Sequence, residues 1–381
     1  MRIGIVCYPT FGGSGVVATE LGKELALEGH EVHFITYDLP VRFDHFISNL
    51  HYHEVRVSDY PLFDYQPYEL VLASRIVDVV KHEGLDLLHV HYAIPHASAA
   101  YMAREILKSQ GTEIPFVTTL HGTDITLVGK DASFEPVITF AINQSDAVTA
   151  VSESLKKDTY EHFDVTREID VIPNFIDIKR YEGCSTDGVT KAFAPNGERV
   201  LFHASNFRPV KRVEDVVRVF SKVREELPCK LLLAGDGPER PKIEALCREL
   251  GTCQDVHFLG KLKHIEEVYS VADAFLLPSE TESFGLAALE AMASSVPVIS
   301  SNTGGIPEIN IQGETGFLSN VGDIDEMAQN TLNLLHNDEL LANMKQRAFL
   351  RAKQFSKESI IPVYEELYES VIERKTSEKQ A

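Results

Sequence analysis

The stretch RIGIVCYPTFGGSGVVATELGKELALEGHEVHFIT, residues 2–36, decides the fold. Residues 2–7 form an apolar run without polar alternation, as expected of a strand covered on both faces. Residues 16–28 then place Val17, Leu21 and Leu25 at helical spacing, and Gly29 follows as a stop. A second apolar run occupies 31–36. Strand, helix and strand in this order predict a parallel sheet with helices on both faces.

The same alternation continues outward along the chain. Strands are expected at 87–91, 116–120 and 147–151, with a helix over 69–83 stopped by Gly84. After Val171-Ile172-Pro173 the pattern breaks, because 183–188 and 194–198 are rich in Gly, Ser, Thr, Pro and Asn without a period. It restarts with strands at 199–204, 230–234, 256–259, 274–277 and 297–300. Residues 324–374 read as helical throughout, and the polar tail 376–381 as frayed. At 381 residues the chain exceeds one ordinary core. The expectation is an α/β protein of two doubly wound, Rossmann-like domains, 1–168 and 169–356, with a helix at 357–375 packing back toward the first. Open α/β sheets bind ligands outside the carboxyl ends of their strands, so two such sheets facing each other would put both binding edges in one cleft. Functional motifs should follow strands.

Composition narrows the function. With 36 basic and 57 acidic residues the net charge is −21, which repels the phosphate backbone of nucleic acids. No apolar run approaches the roughly 20 residues of a membrane span, and the amino-terminal strand does not resemble a secretion signal. A cytoplasmic protein without nucleic-acid or membrane partners is expected. The sequence allows a homo-oligomer without choosing one. Cys7, Cys184, Cys229, Cys247 and Cys253 are scattered and odd in number, which argues against a disulfide framework and a zinc site.

The most informative loop follows the strand at 274–277. It runs Pro278-Ser279-Glu280-Thr281-Glu282-Ser283-Phe284-Gly285 into a helix at 286–293 that contains Glu290. Ser283 is the expected N-cap, and the free amides at the helix start can receive an anion. Two glutamates most often lie on a solvated surface. Glu290, however, is flanked by Leu286-Ala287-Ala288-Leu289 and Ala291-Met292-Ala293, where an unpaired carboxylate would be costly. At the same sheet edge, Arg208-Pro209-Val210-Lys211-Arg212 follows the strand at 199–204 and reverses the acidic background, as a phosphate site requires.

A Glu-x-Phe-Gly stretch with a second Glu eight residues after the first is similar to the donor-site motif of family 4 glycosyltransferases. The resemblance covers nearly the whole chain. It implies the two-domain GT-B fold of retaining glycosyltransferases, with no metal or other cofactor. It also implies that Glu282 contacts the transferred sugar, that Glu290 holds the nucleotide ribose, and that the amides near Ser283, Phe284, Gly285 and Leu286 face the diphosphate. Lys211 takes the place of the family's diphosphate-binding lysine. Relatives usually have an arginine where this chain has Asn206. Here the arginine comes at Arg208, a candidate for the donor diphosphate and for acceptor carboxylates.

In the first half, Gly12-Gly13-Ser14-Gly15 follows the first strand. Gly13-x-Gly15-x-x-Ala18, with Asp38 ending the next strand, also fits a dinucleotide fingerprint, so an NAD-dependent dehydrogenase stays open at this point. Residues 8–12 make the turn longer than that fingerprint needs. In the glycosyltransferase reading the amides of Gly13 and Ser14 approach the diphosphate and acceptor. His121 of His121-Gly122-Thr123-Asp124 would hydrogen-bond a sugar hydroxyl or receive developing charge, although a single histidine is usually structural. Tyr92, Thr118 and Thr119 resemble acceptor-side residues. The turns at 235–239 and 304–308 read as framework. The opening run 7–21, the stretch 89–96 and the stretch 206–211 extend the resemblance to members that use UDP-N-acetylglucosamine and L-malate in the first step of bacillithiol synthesis. A nucleotide-sugar epimerase and a two-lobed sugar-binding protein are the remaining rivals.

Overall fold

The computed structural model describes every residue except 11–12, 58–65, 128, 130, 185–186 and 381. Gly12 of the glycine run therefore lies outside the described residues. The chain divides into two compact units, one of Met1–Asn174 with Glu358–Ala381 and one of Phe175–Lys357.

The first unit contains β1 (Arg2–Val6), β2 (Glu31–Thr36), β3 (Leu50–Glu54), β4 (Leu87–His91), β5 (Phe116–Leu120), β6 (Ala147–Ala150) and β7 (Ile169–Val171). Its helices include α1 (Ser14–Leu27), α2 (Tyr68–Val79), α3 (Ser98–Ser109), α4 (Glu135–Gln144) and α5 (Glu153–His162). The second contains β8 (Arg199–Ala204), β9 (Cys229–Ala234), β10 (Val256–Gly260), β11 (Ala274–Leu277), β12 (Val298–Ser301) and β13 (Gly316–Ser319). Around them run α6 (Asp187–Phe193), α7 (Val213–Glu226), α8 (Arg240–Glu249), α9 (Glu266–Tyr269), α10 (Leu286–Ala293), α11 (Ile306–Ile309), α12 (Ile324–Leu335) and α13 (Asp338–Lys353). A last helix, α14 (Lys357–Gln380), carries the chain back into the first unit.

Among the described residues the strands form two parallel sheets, ordered β3-β2-β1-β4-β5-β6-β7 and β10-β9-β8-β11-β12-β13. Each order reverses once, between β1 and β4 in the first sheet and between β8 and β11 in the second. These are the topological switch points, where connections leave in opposite directions and open a crevice at the strand ends. The central strands are buried on both faces, with Ile3, Ile5, Val6, Leu201 and Phe202 fully inaccessible, which explains their continuous apolar sequence.

Several expectations change. Residues 169–171, placed in the second domain by the sequence, pair with β6 as the edge strand β7 of the first sheet, and the chain passes to the second unit after Asn174. β3, β7 and β13 were not expected. The helical stretch 324–374 is broken between α12, α13 and α14. Of the tail expected to fray, 376–380 are helical as the end of α14, and 381 lies outside the described residues. No helix among the described residues is long and apolar enough to cross a membrane.

Candidate active site

At the switch point of the second sheet, the loop after β8 and the loop after β11 are stapled together. The amide of Glu280 donates to the carbonyl of Val210 at 2.8 Å. The staple sets Lys211 beside Glu282, and Lys211 Nζ donates to Glu282 Oε2 at 2.6 Å. Both side chains are largely buried, so this pair is screened less than a surface salt bridge. Ser279, itself fully buried, donates to the same carboxylate oxygen at 3.3 Å. A cation and a carboxylate thus meet at the carboxyl ends of β8 and β11.

His203 braces the start of the Lys211 loop. Its Nδ1 bonds the carbonyl of Leu276 at 2.8 Å and its Nε2 the hydroxyl of Ser205 at 2.8 Å. Burial lowers its pKa to about 4, so the bridge between β11 and the loop is neutral. Glu290 on α10 is half-buried, and its Oε2 accepts from Tyr269 Oη at 3.1 Å. Asn206 and Arg208 lie exposed on the same loop.

The first unit repeats the arrangement at its own switch point. Ser14 begins α1 after β1, Tyr92 follows β4, and their hydroxyls are 2.5 Å apart. Tyr92 has φ 87, a conformation that costs a non-glycine residue about 1–3 kcal/mol and is found where function fixes the backbone. Gly13, with φ 57, precedes α1 and is exposed. His121, at the end of β5, lies 2.7 Å from His91 through Nε2 and Nδ1. Burial lowers the His121 pKa to about 3, so the ring is neutral near pH 7. Asp124 takes amides from Ala93 at 2.9 Å and Gly122 at 3.1 Å. Burial raises its pKa to about 6 against the opposing hydrogen bonds, and it ties the loop after β4 to the loop after β5.

Residues 11–180 match the model of Glycosyltransferase Family 4, and residues 189–351 match that of Glycosyl transferases group 1. The chain is 48% identical to N-acetyl-alpha-D-glucosaminyl L-malate synthase of Bacillus anthracis over 98% of this chain and 97% of that protein. The chain belongs to the family 4 glycosyltransferases. As a glycosyltransferase it is an enzyme that moves a hexosyl group, and the glycine loop after β1 gives no dehydrogenase. The glycosyltransferase fold extends to solved structures of low identity. Sucrose-phosphate synthase from Thermosynechococcus elongatus superposes with a TM-score of 0.81 at 21% identity, over 98% of this chain and 99% of that one. Anabaena HepE in complex with UDP and glucose gives 0.79 at 18%, over 97% and 99%.

Two site expectations need correction in this glycosyltransferase. Ser283 does not cap α10: the N-cap is Gly285, in a left-handed conformation with φ 100 and no side-chain cap bond. The loop therefore turns into the helix through a glycine and leaves the first amides to Leu286 and its successors. Thr118 and Thr119 are both fully buried. They point to opposite faces of β5, and their hydroxyls are taken by Ser145 at 2.7 Å and by His89 and Thr149 at 2.7 Å. They form part of the core, not an acceptor surface. Phe284 likewise packs inward on Phe355, so only its backbone can face a ligand. Sequence reasoning missed Tyr269, His91 and His203, which hold site residues from positions without a motif. For His91 the tight sequence His89-Val90-His91 on a buried strand was the one visible signal; Tyr269 and His203 carried none.

Proposed function

We propose that this enzyme transfers N-acetylglucosamine from UDP-N-acetylglucosamine to the hydroxyl of L-malate, with retention of anomeric configuration. The observation that carries the donor half is the Lys211–Glu282 pair at the switch point of the second sheet. The acceptor is supported by the likeness over nearly the full length to a protein whose name states it.

In the proposed reaction Lys211 Nζ turns from Glu282 to the donor diphosphate, and Glu282 accepts hydrogen bonds from the sugar. Amides at the start of α10 add positive potential where charge grows on the leaving group. Glu290 holds the ribose, and Asn206, Arg208, Gly13 and Ser14 complete the donor contacts. The bond from the anomeric carbon to the phosphate oxygen breaks as the malate hydroxyl attacks the same face. The departing phosphate takes the hydroxyl proton, leaving UDP and the glycoside. Neutral His121 and the Tyr92–Ser14 pair lie on the acceptor side, and Arg208 is the cation proposed for the malate carboxylates. No metal takes part in the proposed chemistry. In this role the enzyme works in the cytoplasm, at the entry to bacillithiol synthesis.

The test mixes the protein with UDP-N-acetylglucosamine and follows UDP release. Release that depends on malate and continues unchanged in excess EDTA is expected. Lys211→Ala and Glu282→Ala should each lower it about 100-fold or more. Release that needs a different alcohol would overturn the acceptor, and full activity in both variants would overturn the site.

A further inference from the structure

The outer edge of the first sheet carries a cluster that glycosyl transfer does not use. β2 and β3 pair in parallel with His33 opposite His51 and Ile35 opposite His53. Alternation along each strand places Glu31, His33, His51 and His53 on one face. The imidazoles of His33 and His51 stack with centroids 4.7 Å apart, and those of His33 and His53 with centroids 5.2 Å apart.

The polar atoms are arranged around a point and not merely adjacent. Glu31 Oε1 lies 3.7 Å from His33 Nε2 and 3.6 Å from His51 Nε2, beyond ordinary hydrogen bonds. His33 is 1% exposed, and its Nε2 has no hydrogen-bond partner among the described residues. A buried imidazole nitrogen left this way is costly, about 1–3 kcal/mol. The other nitrogen of His33, Nδ1, is fixed by His53 Nε2 at 2.9 Å. Arg2 holds the far oxygen of Glu31 at 3.0 Å, which turns Oε1 toward the rings. The donor atoms of Glu31, His33 and His51 all lie within 4.8 Å of one another. A tetrahedral zinc ion with bonds of about 2.0–2.1 Å wants its ligand atoms about 3.4 Å apart. Small rotations of the half-exposed Glu31 and His51 side chains supply the difference.

We propose that Glu31 Oε1, His33 Nε2 and His51 Nε2 form a site for one divalent first-row transition ion, with zinc as the best match. Water fills the fourth position on the solvent side, and His53 orients the His33 ring as partners of metal-bound histidines do. Two imidazoles and a carboxylate suit a borderline ion better than calcium or magnesium, which prefer oxygen. A second grouping of His33, His53 and Glu83 would have to break the His33–His53 hydrogen bond, which favours the first. The ion would clip the edge strand β3 to β2, away from the loops of the transfer site.

Full-length protein stripped with a chelator and dialysed would be titrated with Zn2+ against a chromophoric competitor. Binding of one equivalent is expected, weakened at least tenfold in His51→Ala and in Glu31→Gln. Co2+ should give the visible absorption of a four-coordinate ion in the parent and not in His51→Ala. These side chains are half-exposed, so the variants should fold, unlike a change at buried His33. No stoichiometric uptake, or uptake indifferent to both substitutions, overturns the proposal. So does uptake that disappears in Cys253→Ser, which would assign the ion to the exposed thiol.

Discussion

A Cβ placed on Gly304 would sit 2.0 Å from the carbonyl oxygen of Glu282, and the next residue, Gly305, donates its amide to that same oxygen at 2.9 Å. The turn at 304–308, framework by sequence, is thus the rest against which the backbone of Glu282 is held. Gly237 plays the same part on the other loop, where a Cβ would meet the carbonyl oxygen of Asn206 at 2.0 Å. Gly304→Ala must push the Glu282 backbone aside, and a displacement near 1 Å at a reacting centre can cost about 100-fold in rate. Gly313→Ala is the control, since Gly313 has a similar positive φ of 72 but open space where the Cβ would go. Malate-dependent UDP release should fall at least tenfold in Gly304→Ala and stay within about twofold in Gly313→Ala. Equal rates in the two variants would show that the contact does not position Glu282.

At the scale of elements, the central strands were legible from short runs dominated by Val, Ile, Leu and Phe: the expected bounds of β2, β4, β5, β8 and β11 are those observed. The edge strands were not. β3 reads LHYHE, whose two histidines belong to the histidine cluster, and β7 has only three residues. The loop after β11 was legible from its glutamates, whereas the partners Tyr269 and Gly304 became visible only once distant segments met. The least expected layer lies on β4, β5 and their loops. Burial lowers the pKa of His89 to about 3, His96 to about 4 and His121 to about 3, and that of His91 well below its ordinary value. An unfolded chain protonates these rings below pH 6.5, while the folded state resists, so stability is complete above pH 6.5 and is lost as pH falls toward about 3–4. Each histidine contributes a slope of about 1.4 kcal/mol per pH unit inside its window. Asp124, raised by burial to about 6, acts in the opposite direction, as one group against several. The urea midpoint should therefore be level between pH 8 and 6.5 and drop steeply by pH 5. A midpoint that holds to pH 5 would mean that the layer opens or rearranges to admit protons.

Over the whole molecule, the chain leaves the first unit once and returns to it, and the return is structural. Residues 1–174 contain every strand of the first sheet, yet α14 supplies part of that unit's core: Tyr364, Tyr368 and Val371 are at most 2% exposed. Tyr368 Oη bonds His89 Nδ1 at 2.7 Å in the middle of the histidine layer. Glu365 accepts from His30 at 2.8 Å and Lys375 pairs with Asp146 at 3.1 Å, so the helix is tied along its length. Burying each large apolar side chain contributes about 1.5–3 kcal/mol, and a domain's whole stability is only about 5–15 kcal/mol. Deleting residues 358–381 removes several such terms and strips His89 of its partner inside the core. The first unit should then lose its cooperative melt and be digested by protease at pH 7.5, while Phe175–Lys357, which keeps its own sheet and the Lys211–Glu282 pair, survives as a resistant fragment. Tyr368→Phe is the graded version, leaving His89 Nδ1 unpaired at a cost of about 1–3 kcal/mol and lowering the melting temperature without loss of the fold. A truncated chain that melts like the parent would show that β1–β7 and α1–α5 form a complete core without the returning helix.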